Sequence, residues 1–308
     1  MHSFRSRATL AVVAAFALVG AACASDSSTS TPAASGGTDT GVCQSVDTTT
    51  GDALAEVCET GTLRVATDAK YKPQSWFDVQ SEQWNGFDVD VANEIAKRLG
   101  VTTDIQAQKW AVITAGSWSD RWDLSVGSMT DTVDREELFY FSSAYYFTPA
   151  GVSVHNDNTT ITDIATDLDG KKVCVGVETT YQDYINQTLV MGAGAPPFEF
   201  EVDDAQLQTF ETDTDALDNL ALGDGVRCDA AISATPTIQA FIDDGGPIKL
   251  VGDPIYYEPL AIALDRNAST DQTALAEAVD QIVLDMHDDG TLSTLSQKWY
   301  GADLTAST

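Results

Sequence analysis

GFDVDVANEIAKRLGV, at residues 86–101, is the stretch on which the fold turns. Phe87, Val91, Ile95 and Leu99 recur every four residues and make one apolar face, which predicts an amphipathic helix. Lys97 and Arg98 stand in its last turn and Gly100 follows, the charge and the cap that a helix end favours. Short apolar runs flank it, LRVAT at 63–67 before and WDLSVG at 122–127 after. Further out, KVCVGV (172–177), CDAAIS (228–233), IKLVG (248–252) and LAIAL (260–264) read as strands. Leu275, Val279, Ile282, Val283 and Met286 mark a long helix ended by Gly290, and Leu292, Leu295 and Trp299 mark a last one. Strand–helix alternation of this kind predicts an α/β fold with parallel sheets. Tyr146-Phe147-Thr148-Pro149 leads into the strand GVSV (151–154), and Pro254 and Pro259 flank a second extended piece. If both pieces cross between two sheets, the chain leaves one lobe, builds a second and returns.

The ends and the cysteines set the surroundings. Arg5 and Arg7 precede an apolar run from Ala8 to Gly20, too short to span a bilayer and typical of an export signal. Gly20-Ala21-Ala22-Cys23 resembles a bacterial lipobox, with Gly20 where Leu is usual, which makes Cys23 the expected site of lipidation. The competing assignment is ordinary cleavage after Ala22-Cys23-Ala24. Residues 24–41 are rich in Ser, Thr, Ala, Gly and Asp and read as a flexible tether, with a short stapled lead-in over 42–60. Cys43, Cys58, Cys174 and Cys228 are an even set in an exported chain, so two disulfides are expected, Cys43–Cys58 and Cys174–Cys228, each within one unit. No CxxC occurs and the three histidines are scattered, so no metal or other cofactor is expected. With 16 Lys+Arg against 47 Asp+Glu, the net charge is −31, a surface that repels nucleic acid and anionic headgroups.

Seven pieces in order carry a resemblance: LRVATDAKY (63–71), GFDVDVANEIAKRLGV (86–101), WDLSVGSMTDTVDR (122–135), FSSAYY (141–146), DLDGKKVCVGVETTYQDY (167–184), LVGDPIYYEPLAIAL (250–264) and DDGTLSTLSQKWYG (288–301). Together the chain resembles family 3 of the bacterial extracellular solute-binding proteins, the polar amino acid binders of ABC importers, over about residues 61 to 303. The resemblance implies a type II periplasmic-binding-protein fold, two α/β lobes joined by two hinge strands with the ligand cleft between them. The expected division is a signal peptide over 1–23, tether and lead-in over 24–60, lobe one over 61–149, lobe two over 150–255, and the second hinge with the rest of lobe one over 256–308.

Arg135 is the strongest candidate in the site. It follows a strand end, where ligands bind in open α/β sheets, and a guanidinium grips a carboxylate bidentately. The bland alternative is a surface ion pair with Asp134 or Glu137. In the family the matching Arg holds the ligand's α-carboxylate, and residues matching Ser128 and Thr130 assist. Thr179 and Thr180 follow a strand and open a helix, a place that binds anions or merely caps the helix; the matching family threonines close the far side of the carboxylate. Tyr71 and Trp110 fall where the family walls the ligand side chain, and Asp68 where some members carry an acid facing it. Trp76, Trp84 and Trp118 are expected to be structural.

One departure bears on the ligand. Family members that bind α-amino acids place an Asp after the lobe-two strand to accept the ammonium, and that slot here is Ala234. The Gly usual before the Thr pair is Glu178. Either Glu178 supplies the carboxylate, or the ligand lacks a free ammonium, which leaves opine-like conjugates, N-substituted amino acids and simple carboxylates open. The expected role is that of the binding component of an ABC importer, capturing a small carboxylate-bearing solute, a polar amino acid or derivative first, by clamshell closure, as a monomer anchored at the cell surface or in the periplasm and read by an ABC permease in the membrane. The rival readings are a sensor that hands its ligand to a membrane receptor and a dehydratase-like enzyme on the same fold. Against the enzyme, there is no nucleophile–base pair, phosphate loop or metal spacing.

Overall fold

The computed structural model describes residues 41–306. Cys23, the export signal and the tether up to residue 40 lie outside the described residues. The lead-in is folded: Cys43 pairs with Cys58 across a Cα–Cα distance of 5.1 Å, and α1 (Ala53–Thr60) is capped at its start by the Asp52 side chain and at its end by Gly61. Ala53 and Val57 of this helix pack into the first core.

The chain then runs through β1 (Thr62–Thr67), β2 (Lys70–Tyr71), β3 (Ser75–Asp78), β4 (Gln83–Asn85), α2 (Phe87–Leu99), β5 (Thr102–Ala107), α3 (Trp110–Thr114), β6 (Leu124–Thr130), α4 (Val133–Glu136) and β7 (Phe139–Phe141). It crosses out along β8 (Tyr146–His155). There follow α5 (Ile164–Asp167), β9 (Lys172–Gly176), α6 (Thr180–Ile185), β10 (Gln206–Phe210), α7 (Asp213–Leu220), β11 (Ala230–Ala234) and α8 (Thr235–Asp243). It returns along β12 (Ile248–Asp265) and ends in α9 (Thr273–Asp288) and α10 (Thr291–Tyr300).

The main path of the large sheet has the order β10-β9-β11-β8-β12-β6-β1-β5, with β7 on β12. The expectation of parallel sheets holds within each end: β1 pairs in parallel with β5 and β6, and β9 with β10 and β11. It fails in the middle, where β8 and β12 run antiparallel to each other and to β11 and β6. The antiparallel pair is the out-and-back crossing of the chain. IKLVG and LAIAL, read as separate strands, are two ends of the single strand β12. Its ladder to β8 shifts between Val251 and Tyr256, and Pro254, which has no N–H, falls in that gap. β6 starts two residues later than WDLSVG suggests and ends three later, and all seven of its residues are buried.

Two cores result. The first joins Phe87, Val91, Ile95 and Leu99 of α2 to β1, β6, the end of β12 and α9. The second joins Val152 and Val154 of β8 to Val173, Val175, Tyr184 and Ile232. A smaller cluster behind it holds Cys174 and Cys228, which are bonded with their Cα atoms 5.8 Å apart. Trp118 is buried in another cluster beside the first core, as its structural assignment requires.

Candidate ligand-binding site

One cavity opens where the two cores face each other, lined from both sides. From the first side come Asp68, Tyr71, Trp110, Ser128, Thr130 and Arg135; from the second come Thr179 and Thr180. Eight of the nine residues singled out in the sequence therefore line one space. The ninth, Glu178, does not.

Arg135 lies in the short helix α4, whose cap residue Thr132 accepts a hydrogen bond from the Arg135 N–H. The side chain is buried, 8 % exposed. Its guanidinium donates to the Thr130 carbonyl at 3.0 Å and to the Glu178 carbonyl at 2.9 Å, and lies 5.5 Å from the Trp110 ring centre. Burial lowers its pKa from the usual value, opposed by the fields of Asp183 and Glu258. It makes no ion pair among the described residues, so the surface pairing with Asp134 or Glu137 is not formed.

Glu178 reaches the site through its backbone. It sits at φ 58°, the left-handed region that favours glycine, which accounts for the Gly usual at this place. That turn aims its carbonyl at both the Arg135 guanidinium and the Trp110 indole N–H, 3.0 Å away. The residue itself is exposed. The idea that its carboxylate lines the pocket is thus corrected: what Glu178 supplies is a carbonyl latch from the second side to the first.

Thr179 is the cap of α6: its hydroxyl accepts from the Gln182 N–H and donates to the Gly176 carbonyl at 2.7 Å. Ser128 is also held at positive φ, 54°, with its hydroxyl 2.8 Å from Asp88 Oδ2 and 2.7 Å from the Tyr146 hydroxyl. Asp88 is buried beneath it, and that burial raises its pKa to about 6.

Two buried acids were not singled out in the sequence. Glu258, on β12, accepts from the hydroxyls of Thr130 at 2.7 Å, Thr180, and Tyr181 at 2.8 Å. It thereby ties β6 of the first side to α6 of the second. Burial raises its pKa, opposed by these three hydroxyls and by Arg135. Asp213, at the start of α7, accepts from the Gly176 N–H at 3.1 Å and the Ser233 hydroxyl at 2.8 Å, and burial raises its pKa to about 7. A Cβ at Gly176 would lie 2.4 Å from Asp213 Oδ1, so only glycine permits this approach. Both acids also line the cavity. Glu258 stands in a run of buried apolar residues, YYEPLAIAL, and that setting was the available signal. Asp213 had none, being one acid among 47.

Among the described residues no group of three or more His, Cys, Asp and Glu is placed to hold a metal ion. With one guanidinium, several hydroxyls, two aromatic walls and buried carboxylates, the cavity is built to hold a small polar solute.

Residues 63–302 match the family of bacterial extracellular solute-binding proteins, family 3. The chain belongs to that family. It is 29 % identical over 253 residues to the L-cystine-binding protein TcyJ of Escherichia coli (strain K12), covering 82 % of this chain and 87 % of the relative. It is likewise 29 % identical to the L-cystine-binding protein TcyA of Bacillus subtilis (strain 168), covering 83 % and 87 %. Among solved structures, an ancestral arginine-binding protein bound to glutamine superposes with a TM-score of 0.66 at 28 % identity, covering 78 % of this chain and 98 % of the other. The architecture is accordingly the type II periplasmic-binding fold, and β8 and β12 are its two connecting strands.

Proposed function

We propose that the cavity captures an amino acid by its carboxylate, with the Arg135 guanidinium as the anchor. The protein is an amino-acid-binding component of an ABC transporter, and its curated relatives are binding proteins, not enzymes. The observation that carries the ligand reading is the guanidinium itself: buried, lining the cavity and without an ion pair among the described residues. A buried charge is costly unless paired, and a ligand carboxylate supplies the pair. Ser128 and Thr130 shape the wall behind it, Thr179 and Thr180 face it from lobe two, and Tyr71 and Trp110 flank the ligand side chain.

Contacts to both lobes form only when the cleft shuts, so ligand binding favours the closed state that a membrane permease reads. In this reading lobe one spans 61–149 and 256–308, lobe two spans 150–255, and the monomer is exported and held to the membrane by lipidated Cys23. Two relatives named for L-cystine make that the first ligand to try.

A thermal-shift panel of amino acids, cystine, N-substituted derivatives and simple carboxylates tests the reading. A ligand at a hundred times its Kd adds about 2.7 kcal/mol of stability. The expected result is a shift with an amino acid that Arg135→Ala abolishes. A shift that survives in Arg135→Ala removes the anchor, and no shift with any amino acid removes the ligand class.

A further inference from the structure

We propose that Asp213 is the acceptor for the ligand's α-ammonium and so makes the site selective for amino acids with a free amino group. The inference rests on the amino-acid reading above and deepens it. A cavity that grips a carboxylate through Arg135 must also satisfy the ammonium of a zwitterion, or exclude zwitterions. Four carboxylates line it, those of Asp68, Glu211, Asp213 and Glu258.

Two of the four are committed or exposed, and a third, Asp68, lies on the same side of the cavity as Arg135. Glu258 is engaged by three hydroxyls of the protein. Glu211 pairs at 3.1 Å with Lys109, both side chains more than half exposed. Asp68 is half-buried and accepts the Lys70 N–H at 2.7 Å. Asp213 is buried, 6 % exposed, and receives one donor on each oxygen. A carboxylate offers about four acceptor positions, so each of its oxygens keeps one free for a ligand.

The placement also explains Ala234. The hydroxyl that holds Asp213 belongs to Ser233, the residue just before Ala234 on β11. The proposed acceptor stands at the start of α7, not at the strand end, and Ser233 of the strand holds it. Gly176, whose N–H fixes the other oxygen, ends β9 directly before the loop that carries Glu178 and Thr179. The carboxylate and ammonium contacts of one ligand thereby fall on opposite lobes, which makes an α-amino acid a cross-lobe tie.

The electrostatics fit this role. Burial and the fields of Glu258 and Asp68 push the Asp213 pKa up, while Ser233 and the Gly176 N–H pull it down, leaving it at about 7. The hydroxyls of Tyr71, Tyr181 and Tyr256 also feel its charge, and none of them ionises near neutrality. A bound ammonium stabilises the ionised carboxylate, so binding near pH 6 expels the proton that Asp213 holds.

The test uses calorimetry with L-cystine and L-glutamine, each beside its N-acetylated form. The protein should favour the free amino acids at least about 100-fold, a preference that falls below about 10-fold in Asp213→Asn, from the roughly tenfold per 1.4 kcal/mol of a lost charged contact. At pH 6 the native protein should release close to one proton per ligand, read from heats in two buffers of different ionisation enthalpy. Release should fade by pH 8.5 and be absent in Asp213→Asn. The proton measurement needs only the native protein, so an absence of release overturns the role of Asp213 even if the variant does not fold. Retained preference in a folded Asp213→Asn, or binding at pH 6 without proton release, overturns the role of Asp213 and leaves the amino-acid reading intact. Equal or tighter binding of the acetylated forms overturns the ammonium site. Binding of none of the four, with no shift from any other amino acid in the panel, overturns the amino-acid reading and this inference with it.

Discussion

Arg135 in lobe one and Glu258 on the returning connecting strand are both buried charges in the same cavity, and the protein treats them differently. Glu258 is surrounded by donors: Thr130, Thr180 and Tyr181 all give it their hydroxyls. Arg135 receives only two backbone carbonyls, no carboxylate, and one aromatic face. A carboxylate that takes three protein donors has most of its acceptor positions filled and holds the structure together. A guanidinium that gives only two of its five N–H groups to carbonyls keeps donors free and is poised for a carboxylate from outside. Asp213 stands between the two cases, with one donor on each oxygen.

The largest effect expected from this contrast is at Arg135. Removing one partner of a buried, hydrogen-bonded charge pair costs about 2–5 kcal/mol of binding. Arg135→Ala should therefore lose measurable affinity for the ligand found in the panel, while the variant's own stability falls little or rises. A strong loss of stability instead would place Arg135 with Glu258 as a structural charge and break the contrast. Glu258→Leu should do the reverse. Each hydrogen bond to a charged group contributes about 1.5–3 kcal/mol, and this change leaves three buried hydroxyls without their acceptor. Urea denaturation should show a loss of at least that size for one bond, and an unchanged midpoint would sink the structural assignment.

A smaller effect comes from pH. Asp213 at about 7, and Asp88 and Asp131 at about 6, bind their protons more tightly folded than at the ordinary value of 3.8. Their contribution to stability is complete below about pH 4 and is lost as pH rises through 6 to 7. The ligand-free protein should thus melt at a lower temperature at pH 7.5 than at pH 5, and Asp213→Asn should flatten the upper part of that slope. A melting temperature that rises over this range would contradict the burial argument. The smallest effect is at Trp110, which gives a single neutral hydrogen bond to the Glu178 carbonyl. Trp110→Phe should weaken ligand binding by about 1 kcal/mol. A loss as large as that at Arg135 would mean the indole itself grips the ligand.

Much of this is legible in the amino-acid sequence. The period of four from Phe87 to Leu99 marked α2 and its stop at Gly100, because a helix face is written in local spacing. Arg135 stood out because the chain holds only 16 Lys and Arg, so a cation after a strand end was informative. The same composition hid Asp213 and Glu258: in a chain with 47 acids no single carboxylate is conspicuous. Glu178 was legible as an oddity but not as a carbonyl that accepts from two donors across the cleft, since a side-chain letter does not say where its peptide group points.

By itself, then, the sequence determined the α/β class, the pairing of the cysteines within their units and the family to which the chain belongs, all properties of short-range periodicity and ordered motifs. Tertiary structure alone decided that IKLVG and LAIAL are one strand, that Glu178 works through its backbone, and which carboxylates meet the cavity. Those outcomes depend on residues far apart in the chain, as Thr130 and Glu258 are by 128 positions and Gly176 and Asp213 by 37. The burial and hydrogen bonds that give a carboxylate its character exist only once such distant elements pack together.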